Sequence, residues 1–486
     1  MTTIDDFESL TGIQHVRLRP DMYIGSIACI VENRWIIENE QSIQESLCAC
    51  PGLEQCVLEL IVNAADHVER CKVAGETKVT KIEITQTVDC VVVLNNGKGI
   101  PIEKKNGMYI PEMIFGNLMT SSNYDDSKKK TWGGKNGIGA KAANIFSVKF
   151  VVEVQSGGYN YYQEFSNGMT VKTEPIIKKV RGSDYTKISY WPDFVAFGMT
   201  SFDSNDTYKL IKKRAYDLAA ATEVGVTFNG SKIPIKNFFD YMHLYIGDSK
   251  KVTYSTDRWE VGFAMCPYDQ PTQISFVNAI CTDEGGNHVK HVLEPVLDRI
   301  TEELQSKHKN VTIKKQYIKD NVIIFIKALI DNPSFDSQLK RKLKTPLADF
   351  GSRCDIPAEI IKKVAKLGIC DNVVEIAKAK DMTNALKKVS GKKGTRLSDI
   401  KKLDDANFAG SNKSADCTLI LTEGDSAKGL ALNGITSAGG RDIWGVFPLR
   451  GKFLNIRTAT ASQLENNEEI IAINRILGIE PGNTKK

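Results

Sequence analysis

Thr131-Trp132-Gly133-Gly134-Lys135-Asn136-Gly137-Ile138-Gly139-Ala140-Lys141 is the stretch whose reading decides the fold. Four glycines and two lysines lie in these eleven residues, and a helix-compatible run, Ala142-Ala143-Asn144-Ile145-Phe146, follows directly. Glycine allows positive φ and removes the Cβ that would hold a ligand away from the backbone. Successive amides can then turn inward around an anion. The helix that follows adds unsatisfied N-terminal amides and the positive end of its dipole. Lys135 and Lys141 supply formal charge. The pattern predicts a phosphate cradle, with a plain glycine-rich surface loop as the alternative. No Gly-Lys-Ser/Thr closes it, so it is not a P-loop. The strand and ribose-binding acid of a dinucleotide fingerprint are also missing.

Upstream, Leu53, Cys56, Val57, Leu60, Ile61, Ala64 and Ala65 recur at three- and four-residue steps and predict one buried helical stripe. The opposite face carries Glu59, Asn63 and His67 at four-residue steps, with Asp66 beside them. A carboxylate and an amide one turn apart can share a metal or a water; a solvated polar face is the alternative. Strands are predicted at Lys81–Thr85 and Cys90–Leu94. The second leads into Asn95-Asn96-Gly97-Lys98-Gly99-Ile100-Pro101, a glycine turn at a strand end. Pro111–Leu118 reads as a helix, and Thr120–Asp126 as a polar loop whose Ser121, Ser122 and Asn123 could bond a ribose or phosphate. Arg17–Ser26 reads as irregular.

Downstream, Val148–Val154, Tyr161–Phe165 and Thr186–Trp191 alternate as antiparallel strands do. Tyr208–Ala221 reads as a helix and Val226–Ile235 as a hairpin around Asn229-Gly230. Helices on one mixed sheet are therefore expected. From about Gly247 a second α/β domain is predicted, with strands at Trp259–Cys266, Gln273–Ile280 and Val322–Leu329 and a helix at Val289–Leu304. Its last strand runs into Asn332-Pro333-Ser334-Phe335-Asp336-Ser337-Gln338-Leu339-Lys340. Lys378–Lys402, rich in lysine, reads as a solvated linker. A strand at Cys417–Leu421 then delivers Thr422-Glu423-Gly424-Asp425-Ser426-Ala427-Lys428, followed by Pro448-Leu449-Arg450-Gly451-Lys452. Carboxylates at such a strand end suit Mg²⁺.

The chain of 486 residues is long enough for about three domains. Its 42% hydrophobic and 25% charged content is ordinary for soluble protein, and no run approaches the roughly 18 apolar residues of a membrane span. Met1–Ser9 is too polar for a secretory leader. Eleven cysteines, an odd number, point to reduced thiols in an intracellular protein. Cys48-Ala49-Cys50 and His288–His291 lack a second half at zinc spacing. Net charge is only +5, so contact with nucleic acid would rely on local patches.

Taken in this order, the segments resemble the eukaryotic-type DNA topoisomerase II family (type IIA). Glu59–His67 resembles its first ATPase box and Asn95–Pro101 its adenine-side glycine box. Ser121–Asn123 and Gly133–Lys141 resemble the ribose/phosphate loop and ATP lid, and Phe335–Lys340 the transducer loop. Glu423–Lys428 and Pro448–Lys452 resemble the opening motifs of Toprim. The resemblance implies an α/β chain: a GHKL (Bergerat-type) ATPase sandwich at 1–247, a transducer at 248–376, a basic linker at 377–410 and an incomplete Toprim at 411–486. It implies ATP and Mg²⁺ as cofactors. Glu59 would be the general base and Asn63 a Mg²⁺ ligand, with His67 and Asn95 at the nucleotide and Asn95 on adenine. Gly134, Lys135, Asn136, Gly137, Ile138, Gly139, Ala140 and Lys141 would wrap the phosphates. Gln338 would contact the nucleotide, Lys340 would meet the γ-phosphate as a catalytic residue, and Glu423 would hold the Mg²⁺ used in DNA cleavage. Double-stranded DNA is the implied partner, with Lys307, Lys309, Lys314 and Lys315 facing it. An ATP-dependent homodimer is implied too, as is a nuclear location, or a host nucleus, cytoplasm or virion for a viral protein.

There are departures from the family pattern. His67 stands where the family usually has Asn, Leu339 replaces a threonine, and Lys135 and Ile138 replace the commoner lid arginine and tyrosine. After Asp425 the only aspartate is Asp442, and no tyrosine follows Tyr317. The cleavage tyrosine and full metal cluster are therefore expected in a further region, of the same natural chain or a separate subunit. The competing class is an ATP-gated clamp or chaperone of the same superfamily, MutL-like or heat-shock-like; the Thr120–Asp126, Phe335–Lys340 and Glu423–Lys428 boxes argue against it. No His-bearing dimerisation helix precedes the ATPase boxes, which excludes a histidine kinase.

Overall fold

The predicted stripe forms the Pro51–Ala74 helix, which starts with proline in its first turn and stops at Gly75, where φ is 67°. Leu53, Cys56, Val57, Leu60, Ile61, Ala64 and Ala65 are all buried, the larger of them contributing about 1.5–3 kcal/mol each. The computed structural model describes residues 9–120, 127, 129–134, 137–268, 270–388, 397, 400–437, 440–451 and 453–479. The chain divides into two units, one of residues 1–299 and 319–369, the other of 300–318 and 370–486. The division falls within the Asn287–Lys307 helix.

In the first unit the Pro51–Ala74 helix packs on the Thr207–Thr222 and Gly139–Ile145 helices and on the Val91–Asn96 strand. That strand sits inside a nine-stranded sheet among the described residues. Its main path runs Ile176–Lys179, Tyr159–Ser166, Ser147–Ser156, Tyr185–Pro192, Val91–Asn96, Lys81–Gln86, Gly225–Phe228, Ser231–Lys232. Gly225–Phe228 runs parallel to Lys81–Gln86, and the pairing of Lys81–Gln86 with Val91–Asn96 is antiparallel. The sheet is therefore mixed, as expected. Asn229 and Gly230, with φ of 48° and 78°, close the predicted hairpin.

A second sheet in the same unit orders Lys251–Thr256, Trp259–Met265, Val322–Ala328, Thr272–Val277, Ile280–Cys281. Its parallel pair, Thr272–Val277 with Val322–Ala328, is connected through the Asn287–Lys307 helix. Ala264, Ile274, Phe276, Ile323 and Phe325 from this sheet belong to the same apolar cluster as Leu53, Val93 and Ile188 of the first. In the second unit Thr418–Glu423 and Trp444–Leu449 form a parallel pair joined by the Gly424–Ser437 helix.

Two readings are corrected, and one hairpin was not foreseen. Arg17–Ser26 is not wholly irregular: Thr11 and Gln14 form a capping box on the Gly12–Leu18 helix, and Pro20–Met22 is a 3₁₀ turn. Gln41–Ala49 pairs antiparallel with Ile30–Glu38 in a hairpin that periodicity did not reveal. Residues 378–388 are not linker but the end of the Ile369–Lys388 helix, because lysine is a good helix former.

Candidate active site

The polar face of the Pro51–Ala74 helix opens into a cavity of about 550 Å³, within the range that holds a small-molecule cofactor. Glu59, Asn63, His67, Asn95, Gly134, Gly137, Ile138, Gly139, Ala140, Lys141, Gln338 and Lys340 all line it. The structure thus brings together groups predicted from four separate stretches. Ser121, Ser122, Asn123, Lys135 and Asn136 lie outside the described residues.

Glu59 is nearly buried and its Oε1 accepts from Gln55 Nε2 at 2.8 Å and from Lys340 Nζ at 3.1 Å. A Cβ on Gly139 would sit 2.0 Å from Glu59 Oε2. Only glycine lets the start of the Gly139–Ile145 helix come this close to the carboxylate. Lys340 is held at φ 57° in a loop whose Gln338 carbonyl accepts from Gln55 Nε2 at 3.5 Å. The loop and the helix are therefore tied at two points one turn apart.

His67 donates from Nε2 to the Lys98 carbonyl at 2.6 Å. Burial pushes its pKa below the ordinary value, although the Lys98 bond opposes this, so the ring is neutral at pH 7. Its donor is spent on the glycine turn, leaving Nδ1 as an acceptor. Gly97 holds that turn at φ 100°, and a Cβ there would meet Val79 Cγ2 at 2.7 Å. Asn95, buried beside it, donates from Nδ2 to the Asn96 carbonyl at 3.1 Å. Lys141, 2% exposed, donates to the Thr120 and Gly137 carbonyls, both at 2.6 Å. Burial brings its pKa down to about 8.

Sequence reasoning missed several residues. Gln55 stands four before Glu59, a spacing that puts the two side chains in reach. Asp66 was seen but given no role, yet its carboxylate accepts from Gly133 N at 2.9 Å and Gly134 N at 2.8 Å. Burial raises its pKa against the pull of Arg70 and those amides. Thr186 and Ile188 line the cavity from a neighbouring strand, with no local signal.

Glu423 ends the Thr418–Glu423 strand in the second unit and is exposed, as is Asp425. Lys428 pairs with Asp404 at 2.5 Å. Among the described residues no three His, Cys, Asp or Glu side chains gather as a metal site. Lys307, Lys309, Lys314 and Lys315 are exposed in the 300–318 segment of that unit, with Lys307 paired to Glu303 at 2.6 Å. No helix among the described residues is long and apolar enough to cross a membrane.

Residues 50–175 match the model of the histidine kinase-, DNA gyrase B-, and HSP90-like ATPases, and residues 228–391 that of DNA gyrase B. The chain is 42% identical to DNA topoisomerase 2 of Pisum sativum over 98% of its own length and 33% of the relative's. It is 43% identical to DNA topoisomerase 2 of Acanthamoeba polyphaga mimivirus over 96% and 38%. It thus spans about a third of the length of these relatives. The solved ATPase region of Saccharomyces cerevisiae topoisomerase II superposes with a TM-score of 0.72 at 38% identity, covering 77% of this chain and 99% of that one. The likeness reaches the sequences as well as the shape. The chain belongs to the type IIA DNA topoisomerase family, and it carries that family's ATP-binding GHKL ATPase region.

Proposed function

We propose that this chain is the ATP-driven gate of a DNA topoisomerase, an isomerase whose strand scission depends on residues outside this sequence. The observation that supports it best is the 3.1 Å ion pair between Lys340 and Glu59, which joins the second sheet's loop to the helix at the nucleotide cavity. Phosphoryl transfer needs an oriented water and neutralised charge more than covalent chemistry. Glu59 accepts the water's proton. The amides from Lys135 to Lys141 and the Ser121–Asn123 loop hold the phosphates and ribose, and Asn95 holds adenine; the Gly134 amide, also expected at the phosphates, is instead spent on Asp66. Gln338 and Lys340 report the γ-phosphate. Asn63 lines the cavity one turn from Glu59 and its amide oxygen is a hard donor that fits Mg²⁺. The ion, when bound, offsets triphosphate charge. Glu423 and Asp425 offer two of the carboxylates that a cleavage metal needs.

In this reading residues 1–247 and 248–376 serve as ATPase and transducer, 377–410 as the connection and 411–486 as the start of Toprim. ATP binding closes a homodimer around a DNA duplex, and the four exposed lysines at 307–315 meet its phosphates, in a nuclear or viral setting. A non-hydrolysable ATP analogue should raise the dimer fraction in sedimentation, and ADP should raise it less. Equal dimer fractions with and without the analogue would count against the gate. Such a ligand shifts the equilibrium only by its preference for the dimer.

Lys141 gives the site a pH dependence. Its pKa of about 8 reflects burial, and a triphosphate beside it favours the cation. Below pH 8 free and bound forms are both protonated, so affinity is flat. Above pH 8 binding takes up a proton, and affinity falls by up to about tenfold per pH unit. Calorimetry of analogue binding at pH 9, in two buffers of different ionisation enthalpy, should show uptake of about one proton that Lys141→Met abolishes. No uptake at pH 9 would rule the effect out.

A further inference from the structure

We infer that Asp66 is a positioning residue for ATP hydrolysis, holding residues 129–134 so that the glycine stretch enters the cavity at a fixed place. The inference rests on the ATPase reading of the site. Asp66 is 1% exposed, and its two oxygens are spent on two successive amides, Gly133 N to Oδ1 at 2.9 Å and Gly134 N to Oδ2 at 2.8 Å. Both glycines line the cavity. One turn along the same helix, Glu69 accepts from Thr131 Oγ1 at 3.0 Å, and the Arg70 guanidinium lies 5.7 Å from the centre of the Trp132 ring.

The other side of the segment is fixed as well. Lys130 N donates to Asn332 Oδ1 at 3.2 Å, and Asn332 N donates back to the Lys130 carbonyl at 2.9 Å. Lys129 reaches Asp331 at 3.6 Å. Asn332 directly precedes Pro333, Ser334 and Phe335 of the cavity wall and stands eight residues before Lys340. Residues 129–134 are thus stitched between the helix that carries Glu59 and Asn63 and the loop that carries Lys340. A carboxylate is needed at position 66 because its partners, the two amides and the Arg70 guanidinium at 4.0 Å, are all donors. An asparagine would offer one acceptor and turn an N–H₂ against the second amide.

The test is steady-state ATP hydrolysis by Asp66→Asn, a near-isosteric change, with melting temperature measured alongside. KM for ATP should rise about 10–100-fold while kcat stays within about threefold, because Glu59 and Lys340 are untouched. A merely structural role predicts the reverse: fewer active molecules, so a lower kcat and lower melting temperature at unchanged KM. Asn332→Ala, which leaves the helix intact, should raise KM about three- to tenfold and carries the test if Asp66→Asn does not fold. Unchanged KM in a folded variant, with the unaltered protein hydrolysing ATP, overturns the inference and leaves the functional reading standing. No hydrolysis by the unaltered protein would overturn both.

Discussion

Glu59→Gln should bind ATP almost normally and hydrolyse it about 10²–10⁴-fold more slowly, the usual worth of a general base. The substitution keeps the side chain's length and its fit against Gly139, where there is no room for a Cβ. It also keeps an oxygen that can accept from Gln55. What it removes is the proton acceptor and the charge that Lys340 faces at 3.1 Å. Nucleotide affinity, read by calorimetry with a non-hydrolysable analogue, separates binding from chemistry, and steady-state turnover measures the loss. Near-normal turnover in Glu59→Gln, with Lys340→Ala the slower of the two, would move the chemistry from the carboxylate to the lysine. Burial makes the assignment sharper, because a Glu59 that is 6% exposed has few other waters to act on.

Arg214→Met should cost about 3–5 kcal/mol of stability, the penalty for stranding buried charge. Arg214, 7% exposed, lies among Glu54 at 3.1 Å, Asp217 at 3.1 Å and Asp283 at 2.9 Å. Arg34 reaches Glu54 at 3.0 Å and Asp283 at 3.7 Å, and Lys213 pairs with Asp217. Burial alone would raise the Asp283 pKa, but Arg214 and Arg34 outweigh it and hold the group well below the carboxylate range. Its stabilising contribution is therefore complete at pH 7. It is lost as pH falls below about 4, the value for a free aspartate. The gap between variant and wild type, taken from denaturant midpoints and the common slope, should accordingly be widest near neutrality and narrow in acid. A gap under about 0.5 kcal/mol at pH 7 would mean that the remaining cations already balance the cluster.

The polar face that lines the cavity was legible because helical periodicity is local: Glu59, Asn63 and His67 share a side of one helix whatever surrounds it. The glycine stretch was legible for the same reason, as its backbone freedom is written in four residues. Lys340 was different. It meets Glu59 across 281 positions, so its place came only from the resemblance to a family, and no spacing rule supplies such a contact. Arg214 and Glu54, 160 positions apart, escaped notice altogether; each reads locally as an ordinary helical charge. Asp66 was hidden by its neighbours, since a polar face offers several groups and sequence does not say which one turns to the backbone. The Gly12–Leu18 helix is another kind of miss. Its Thr11–Gln14 box was present in the sequence, but the irregular reading began only at Arg17 and left the residues before it unread.

The apolar cluster shared by the two sheets bears on how such a molecule can be inherited. Phe276 and Phe325 of the second sheet lie in one cluster with Leu53 and Val93 of the first. A change of volume on either side is felt on the other, since interiors are packed as densely as organic crystals. Recombination that exchanged one sheet between distant lineages would bring together surfaces fitted to different partners. The two sheets are thus expected to tolerate exchange only together, and a junction near Gly247 between distant lineages should lower stability.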